Sequence, residues 1–134
     1  MMPIMGVPGA KQDDQVVGVD THVVMIPSPG GPVPTPLPMP FNGKLSGGLS
    51  ASVLIDDKPA AVKGSTATNQ PHHIPAGGPF QSPPSNQATI DDGSATVFFD
   101  DQKAGRMGDP AKTCNDPADA PNGVVIASGT VLIG

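Results

Sequence analysis

The chain has no glutamate, no tryptophan and no tyrosine, and among its 134 residues there is one cysteine and one arginine. Each absence excludes something. With every acid an aspartate, a good helix former is missing, which argues against an all-helical fold. Four phenylalanines are the only aromatic residues, so neither a large core nor a stacking platform for nucleobases is available. A net charge of −5 and a pI near 4.7 argue against nucleic acid as a partner. Cys114 is alone and cannot form an internal disulfide. No apolar run approaches the roughly 20 residues of a membrane helix. The start, Met1 to Pro8, lacks the charged segment and apolar stretch of a signal peptide. The expectation is a protein made in the cytoplasm that leaves, if it leaves, by a route reading no such peptide. What is abundant is glycine (17) and proline (18), about a quarter of the residues. Leu, Ile, Val and Phe still make up about a fifth, which argues against disorder. The chain reads as one small β-rich domain with many turns and a thin core. Such a domain needs a staple, here a metal or a partner.

An internal repeat organises the sequence. Residues 52–65 (SVLIDDKPAAVKGS) and 96–109 (TVFFDDQKAGRMGD) share Val53/Val97, Asp56/Asp100, Asp57/Asp101, Ala60/Ala104 and Gly64/Gly108. Thr130-Val131-Leu132-Ile133-Gly134 begins a third copy. Each apolar triplet (Val53-Leu54-Ile55, Val97-Phe98-Phe99, Val131-Leu132-Ile133) reads as a short strand. Asp-Asp plus one further residue is expected to reverse the chain, with return strands around Ala60–Lys63 and Ala104–Met107. Because the triplets do not alternate, both faces of each strand need contacts: one with the domain core, the other with a neighbour.

Residues 27–40 hold seven prolines, five at every second position from Pro32 to Pro40. Such a run excludes helix and central strand, and predicts an extended strap over the surface. Its PxxP spacing also fits a ligand for an SH3-like groove. Residues 75–93 read as a second turn-rich excursion, and helix content is expected to be near zero.

Four residues carry metal chemistry: His22, His72, His73 and Cys114. Three imidazoles and a thiolate make a closed tetrahedral zinc set, although the spacing is not that of a zinc finger. The alternative is surface histidines and an inert buried cysteine. His72 and Cys114 each follow the end of a repeat, and His22 follows a glycine near the start, so three equivalent loops would converge. Neighbours on a regular strand point to opposite faces, so His72 and His73 both ligate only from an irregular loop, which Pro71 and Pro75 favour. No nucleophile elbow, phosphate-cradling loop or HExxH motif is present, and the aspartate pairs lack the calcium-loop pattern. A four-ligand zinc leaves no open position for water, so no catalytic residue is expected.

The repeat from Val53 to Ser65, its second copy ending Gly105-Arg106-Met107-Gly108-Asp109, and the closing Gly129 to Gly134 resemble the PAAR-repeat proteins over roughly residues 16–134. The segment from Pro27 to Pro34 resembles the proline-rich insertion of one PAAR-like branch. One departure is that the arginine is absent from the first copy, which reads Pro59-Ala60-Ala61-Val62. The resemblance implies a single domain over 1–134, all-β, a metal-stapled cone of short β-hairpins with a pseudo-three-fold repeat. Residues 1–15 would be an extension and 27–40 the strap. It implies a structural, membrane-piercing tip on a contractile injection machine, of type VI secretion or a phage-tail-like particle, sharpened by zinc held by three His and one Cys. The implied partner is a VgrG-type trimeric β-helical spike, one copy per trimer, with effector cargo and transient contact with a target membrane besides. The nine triplet residues would form the spike-facing base: Val53, Leu54 and Ile55, then Val97, Phe98 and Phe99, then Val131, Leu132 and Ile133. The chain would sit at the particle apex, with no toxin fused. The competing expectation is a free metal-stabilised β module that binds a surface glycan or host protein.

Overall fold

The computed structural model describes residues 6–134. Its local logic starts at the aspartate pairs. Asp56 and Asp57 have φ of 50° and 66°, and Asp100 and Asp101 have 53° and 65°. Two successive left-handed residues make a two-residue hairpin turn whose twist matches that of its strands, and aspartate tolerates this conformation better than most side chains. The turns therefore need no third residue. Ile55 faces Lys58 and Phe99 faces Gln102, so β4 (Leu54–Ile55) returns as β5 (Lys58–Pro59) and β8 (Phe98–Phe99) as β9 (Gln102–Lys103). The return strands begin two residues earlier than the sequence suggested, because the loop is shorter. The third copy is closed by the start of the chain: β12 (Leu132–Ile133) pairs with β1 (Val7–Pro8). Part of the expected N-terminal extension is thus the missing half of a hairpin, and residues 1–5 lie outside the described residues.

Beyond the hairpins, three equivalent segments meet around one axis. Ala61 donates its N–H to Ala10, Ala10 to Gly105 and Gly105 to Ala61, each at 2.9 Å, closing a ring of three backbone bonds. Only small residues fit: a Cβ on Gly105 would lie 3.2 Å from the Ala61 carbonyl oxygen. Next to the ring, the backbone N–H groups of Lys11, Val62 and Arg106 donate to side chains three residues on, Asp14, Ser65 and Asp109. The residue between, Asp13, Gly64 or Gly108, has positive φ at each corner. The same three-fold pattern continues into the barrel, where Leu45, Ile90 and Val125 donate to the carbonyls of Asp14, Ser65 and Asp109.

From each corner one strand rises and one returns: β2 (Gln15–Ile26) and β3 (Val33–Gly47), β6 (Thr66–Asn69) and β7 (Gln87–Ile90), β10 (Pro110–Thr113) and β11 (Ala120–Ile126). All neighbours are antiparallel and the six close into a barrel in the order β2-β3-β6-β7-β10-β11. Closure removes sheet edges wherever all six strands are present. The chain is all-β, built as a pseudo-three-fold set of hairpins, with no helix among the described residues.

Period-two alternation places one face of each strand inside. Val16, Leu45, Ile90 and Val125 fill the barrel beside Ala67, Ala88 and Ala111, so much of the core is alanine. A second small cluster of Ile55, Ala60, Ala104 and Ile133 lies under the hairpins. The proline-rich segment differs from the expected strap: Val33 to Pro40 is the distal half of β3, paired residue for residue with β2. It accepts this role because β6 pairs only with Gly43 to Gly47, which leaves the distal half at an edge, where proline is tolerated. The excursion over 75–93 likewise contains a regular strand, β7.

Candidate metal centre

The rising strands carry chemistry at their far ends. His22 lies eight residues beyond Asp14, His73 eight beyond Ser65 and Cys114 five beyond Asp109. The first rising strand, and the segments just past the ends of the other two, therefore bring His22, His73 and Cys114 to one buried place. The fourth member is Asp20, on the inward face of β2 two residues before His22 and fully buried. The donor atoms of Asp20, His22, His73 and Cys114 all lie within 4.8 Å of one another. His72 is exposed and outside this group. The chain bends at Gln70 and Pro71 past the end of β6, and in this irregular loop His73 turns in while His72 stays exposed, so the loop does not bring both histidines to the site.

The Asp20 carboxylate is the hub. It accepts from Thr113 Oγ1, from His73 Nε2 at 2.9 Å and from Cys114 Sγ at 3.4 Å. His22 Nε2 lies 3.8 Å from the same carboxylate and 3.6 Å from Cys114 Sγ. Donors bound to a tetrahedral zinc at about 2.0–2.3 Å stand roughly 3.3–3.8 Å apart. Three of these four separations fall in that span. Burial, then the charge of Asp20 and its hydrogen bond, push the Cys114 thiol up to about 12. A divalent cation among the donors reverses that preference, since a coordinating thiol gives up its proton. His22 Nδ1 is buried without a hydrogen-bond partner and faces the Asp116 carboxylate at 3.6 Å. A ring nitrogen held toward a carboxylate, with its other nitrogen toward the donors, is the usual arrangement around a metal-bound histidine.

The surroundings are fixed by backbone needs. His73 donates its N–H to Asn86 Oδ1 at 2.8 Å, and Asn69 Nδ2 lies 3.3 Å from His73 Nδ1. In the loop between β10 and β11, Asn115 and Asp116 stand in for a strand beside β2: Thr21 and Val23 donate to the two side chains. The residues present fit a single cation held by two imidazoles, a thiolate and a carboxylate. Sequence reasoning missed Asp20. The available signal was its parity, since Val16, Asp20, His22 and Val24 share the inward face of one strand, where an aspartate needs a reason to be.

The nine triplet residues divide by position. The third of each (Ile55, Phe99, Ile133) turns into or packs on the hairpin core, with Val53 and Val97 partly buried against it. The middle ones face outward: Leu54, Phe98 and Leu132 are 60, 54 and 54% exposed. Val131 is also exposed.

The family model of the PAAR motif matches residues 25–114, about two thirds of the chain, spanning both full repeats and ending on Cys114. The chain belongs to the PAAR-motif family. This family is structural and is associated with the spike tips of contractile injection systems. No curated protein matches the chain. For a PAAR-motif chain the pseudo-three-fold hairpin end and the buried donor group now have one frame: the first is a repeat surface, the second a group that can bind a metal ion.

Proposed function

We propose that this chain is the tip of a contractile injection machine and caps a trimeric β-helical spike of the VgrG type, one copy per trimer, with its hairpin end against the spike. The observation that carries this is the outward triad Leu54, Phe98 and Leu132. They occupy the same position in three hairpins related by a ring of three equal hydrogen bonds, and all three are large, apolar and exposed. A monomer that repeats one apolar contact three times about an axis matches a partner that presents three identical subunits. The hairpins also offer short strand ends on which a β-helical partner can continue.

A metal, with zinc suiting a set that includes a thiolate and imidazoles, would be held by Asp20, His22, His73 and Cys114. It supplies cross-linking and no chemistry of turnover. Three rising strands joined at one cation gain rigidity that a core of alanines does not supply. The chain thus acts as a stiff structural part, carried from the cytoplasm on the particle apex to the target envelope, without catalytic turnover. The test is binding to the purified cognate spike trimer. Phe98→Asp and Leu132→Asp should weaken docking with metal content unchanged. Full affinity in both variants would refute the assigned face.

A further inference from the structure

The alternating prolines of β3 serve neither the hairpin end nor the donor group, and their placement has its own logic. β3 pairs with β2 along its whole length, from Lys44 opposite Gln15 to Val33 opposite Ile26, whereas β6 covers only Gly43 to Gly47. Residues 33–41 are therefore a strand edge. Which backbone groups face that edge follows from β2. The N–H groups of Thr21, Val23 and Met25 donate away from β3, to Asn115 Oδ1, Asp116 Oδ2 and the Pro79 carbonyl. Asp20, His22 and Val24 then face β3, opposite Met39, Leu37 and Thr35. The residues in between, 34, 36, 38 and 40, point their backbone to the open side. Asn42, on the same parity, confirms the direction: its N–H goes to Asn69 Oδ1, and its carbonyl accepts from Gln70, both on the β6 side.

All four of those open positions are proline and all four are exposed. The edge thus offers four carbonyls and no N–H. An added strand needs donors and acceptors in alternation, so its own carbonyls would meet proline rings and lose their partners. The usual alternative guard, a charged side chain on the edge, is absent: no Asp, Lys or Arg occurs from Thr21 to Gly43. With Val33 also 48% exposed, an unguarded edge of this length would recruit another copy.

We propose that the prolines at 34, 36, 38 and 40 close this edge to strand addition, so that neither a second copy nor an extended peptide can lengthen the distal hairpin. Whatever touches this end must bring side-chain donors or lie against the proline rings. The inference does not rest on the spike reading, because it concerns the opposite end of the molecule and needs no partner.

The test compares the full chain with the triple variant Pro34→Thr/Pro36→Thr/Pro38→Thr, which restores three outward donors with a good strand former. Sedimentation equilibrium over a wide concentration range should give a monomer for the natural chain. The variant should form dimers or larger species that grow with concentration, and its new amides at 34, 36 and 38 should gain exchange protection only in the associated form. Pro27→Thr/Pro29→Thr, in the turn outside both strands, should stay monomeric. Circular dichroism checks folding, and Pro36→Thr alone decides the matter if the triple variant does not fold. A folded variant that stays monomeric at every concentration would overturn the proposal. So would new amides protected in the monomer, or a natural chain that itself associates through this edge.

Discussion

The two ends of the molecule solve the same problem, too little apolar volume, in opposite ways. At the hairpin end the solution is repetition. Three copies of one hydrogen-bond pattern close a ring on Ala10, Ala61 and Gly105, and small residues let the backbones approach. At the far end the solution is a mixed group of donors, Asp20 and His22 from one strand, His73 and Cys114 from beyond the ends of the two equivalent ones. Charge is absent from long stretches of two distal segments, although the third carries Lys112, Asp116 and Asp119. No Asp, Lys or Arg lies between Thr21 and Gly43 or between Gly64 and Ile90, while the hairpin end carries both aspartate turns and ion pairs such as Lys58 with Asp13 and Lys103 with Asp92. Repetition suits a surface that must meet a symmetric partner. A buried donor set suits an end that must be stiff and needs no symmetry.

The contrast breaks most visibly through the donor group. Cys114→Ser or His22→Ala should abolish metal binding and lower the melting temperature by roughly 10 °C or more, because structural zinc contributes on the order of 10 kcal/mol in small domains. Asp20→Asn should likewise lose the metal. His72→Ala, at an exposed position, should change stability by less than about 0.5 kcal/mol and leave metal content intact. Elemental analysis alongside calorimetry separates these outcomes. Equal losses from His72→Ala and Asp20→Asn would return His72 to the donor set.

The next largest effect belongs to the hairpin end. Phe98→Asp should weaken spike docking by about 30-fold or more, as expected for a central apolar contact, with the melting temperature of the free chain nearly unchanged. Smaller again is the loss of a corner. Ser65 is buried, accepts from Val62 and donates to the Gly48 carbonyl. Ser65→Ala should therefore cost about 1–3 kcal/mol in chemical denaturation without releasing metal. At the small end stand the turns. Asp57→Gly should stabilise by about 0.5 kcal/mol, since glycine adopts the left-handed conformation without strain. Asp100 is held below the usual carboxylate value by hydrogen bonds from Ser50 and then Ser52. Its contribution is complete above pH 3.8 and is lost as pH falls further through its lowered value, so Asp100→Asn should flatten the acid limb of a stability profile.

How much of this was legible in the sequence follows the same division between ends. The repeat exposed the hairpin end, because identical residues at a fixed offset are visible without any partner. Only the third hairpin was incomplete on paper, since its return strand, Val7–Pro8, lies at the other end of the chain. The proline run was misplaced as a strap because proline argues against a strand in general. It argues only against strands paired on the proline side, and parity, invisible until β2 and β3 are in register, decides that. At the donor group, His22, His73 and Cys114 stood out as rare residues. Asp20 did not, being one of twelve aspartates, and its buried position comes from the barrel rather than from composition.

Under the proposed function, three hairpins in one chain meet three subunits of another. The mass of the complex with the cognate spike trimer tests it directly, measured by native mass spectrometry at saturating amounts of this chain. The expected result is one copy per trimer, with no further copy added as its concentration rises. Three copies per trimer would contradict it.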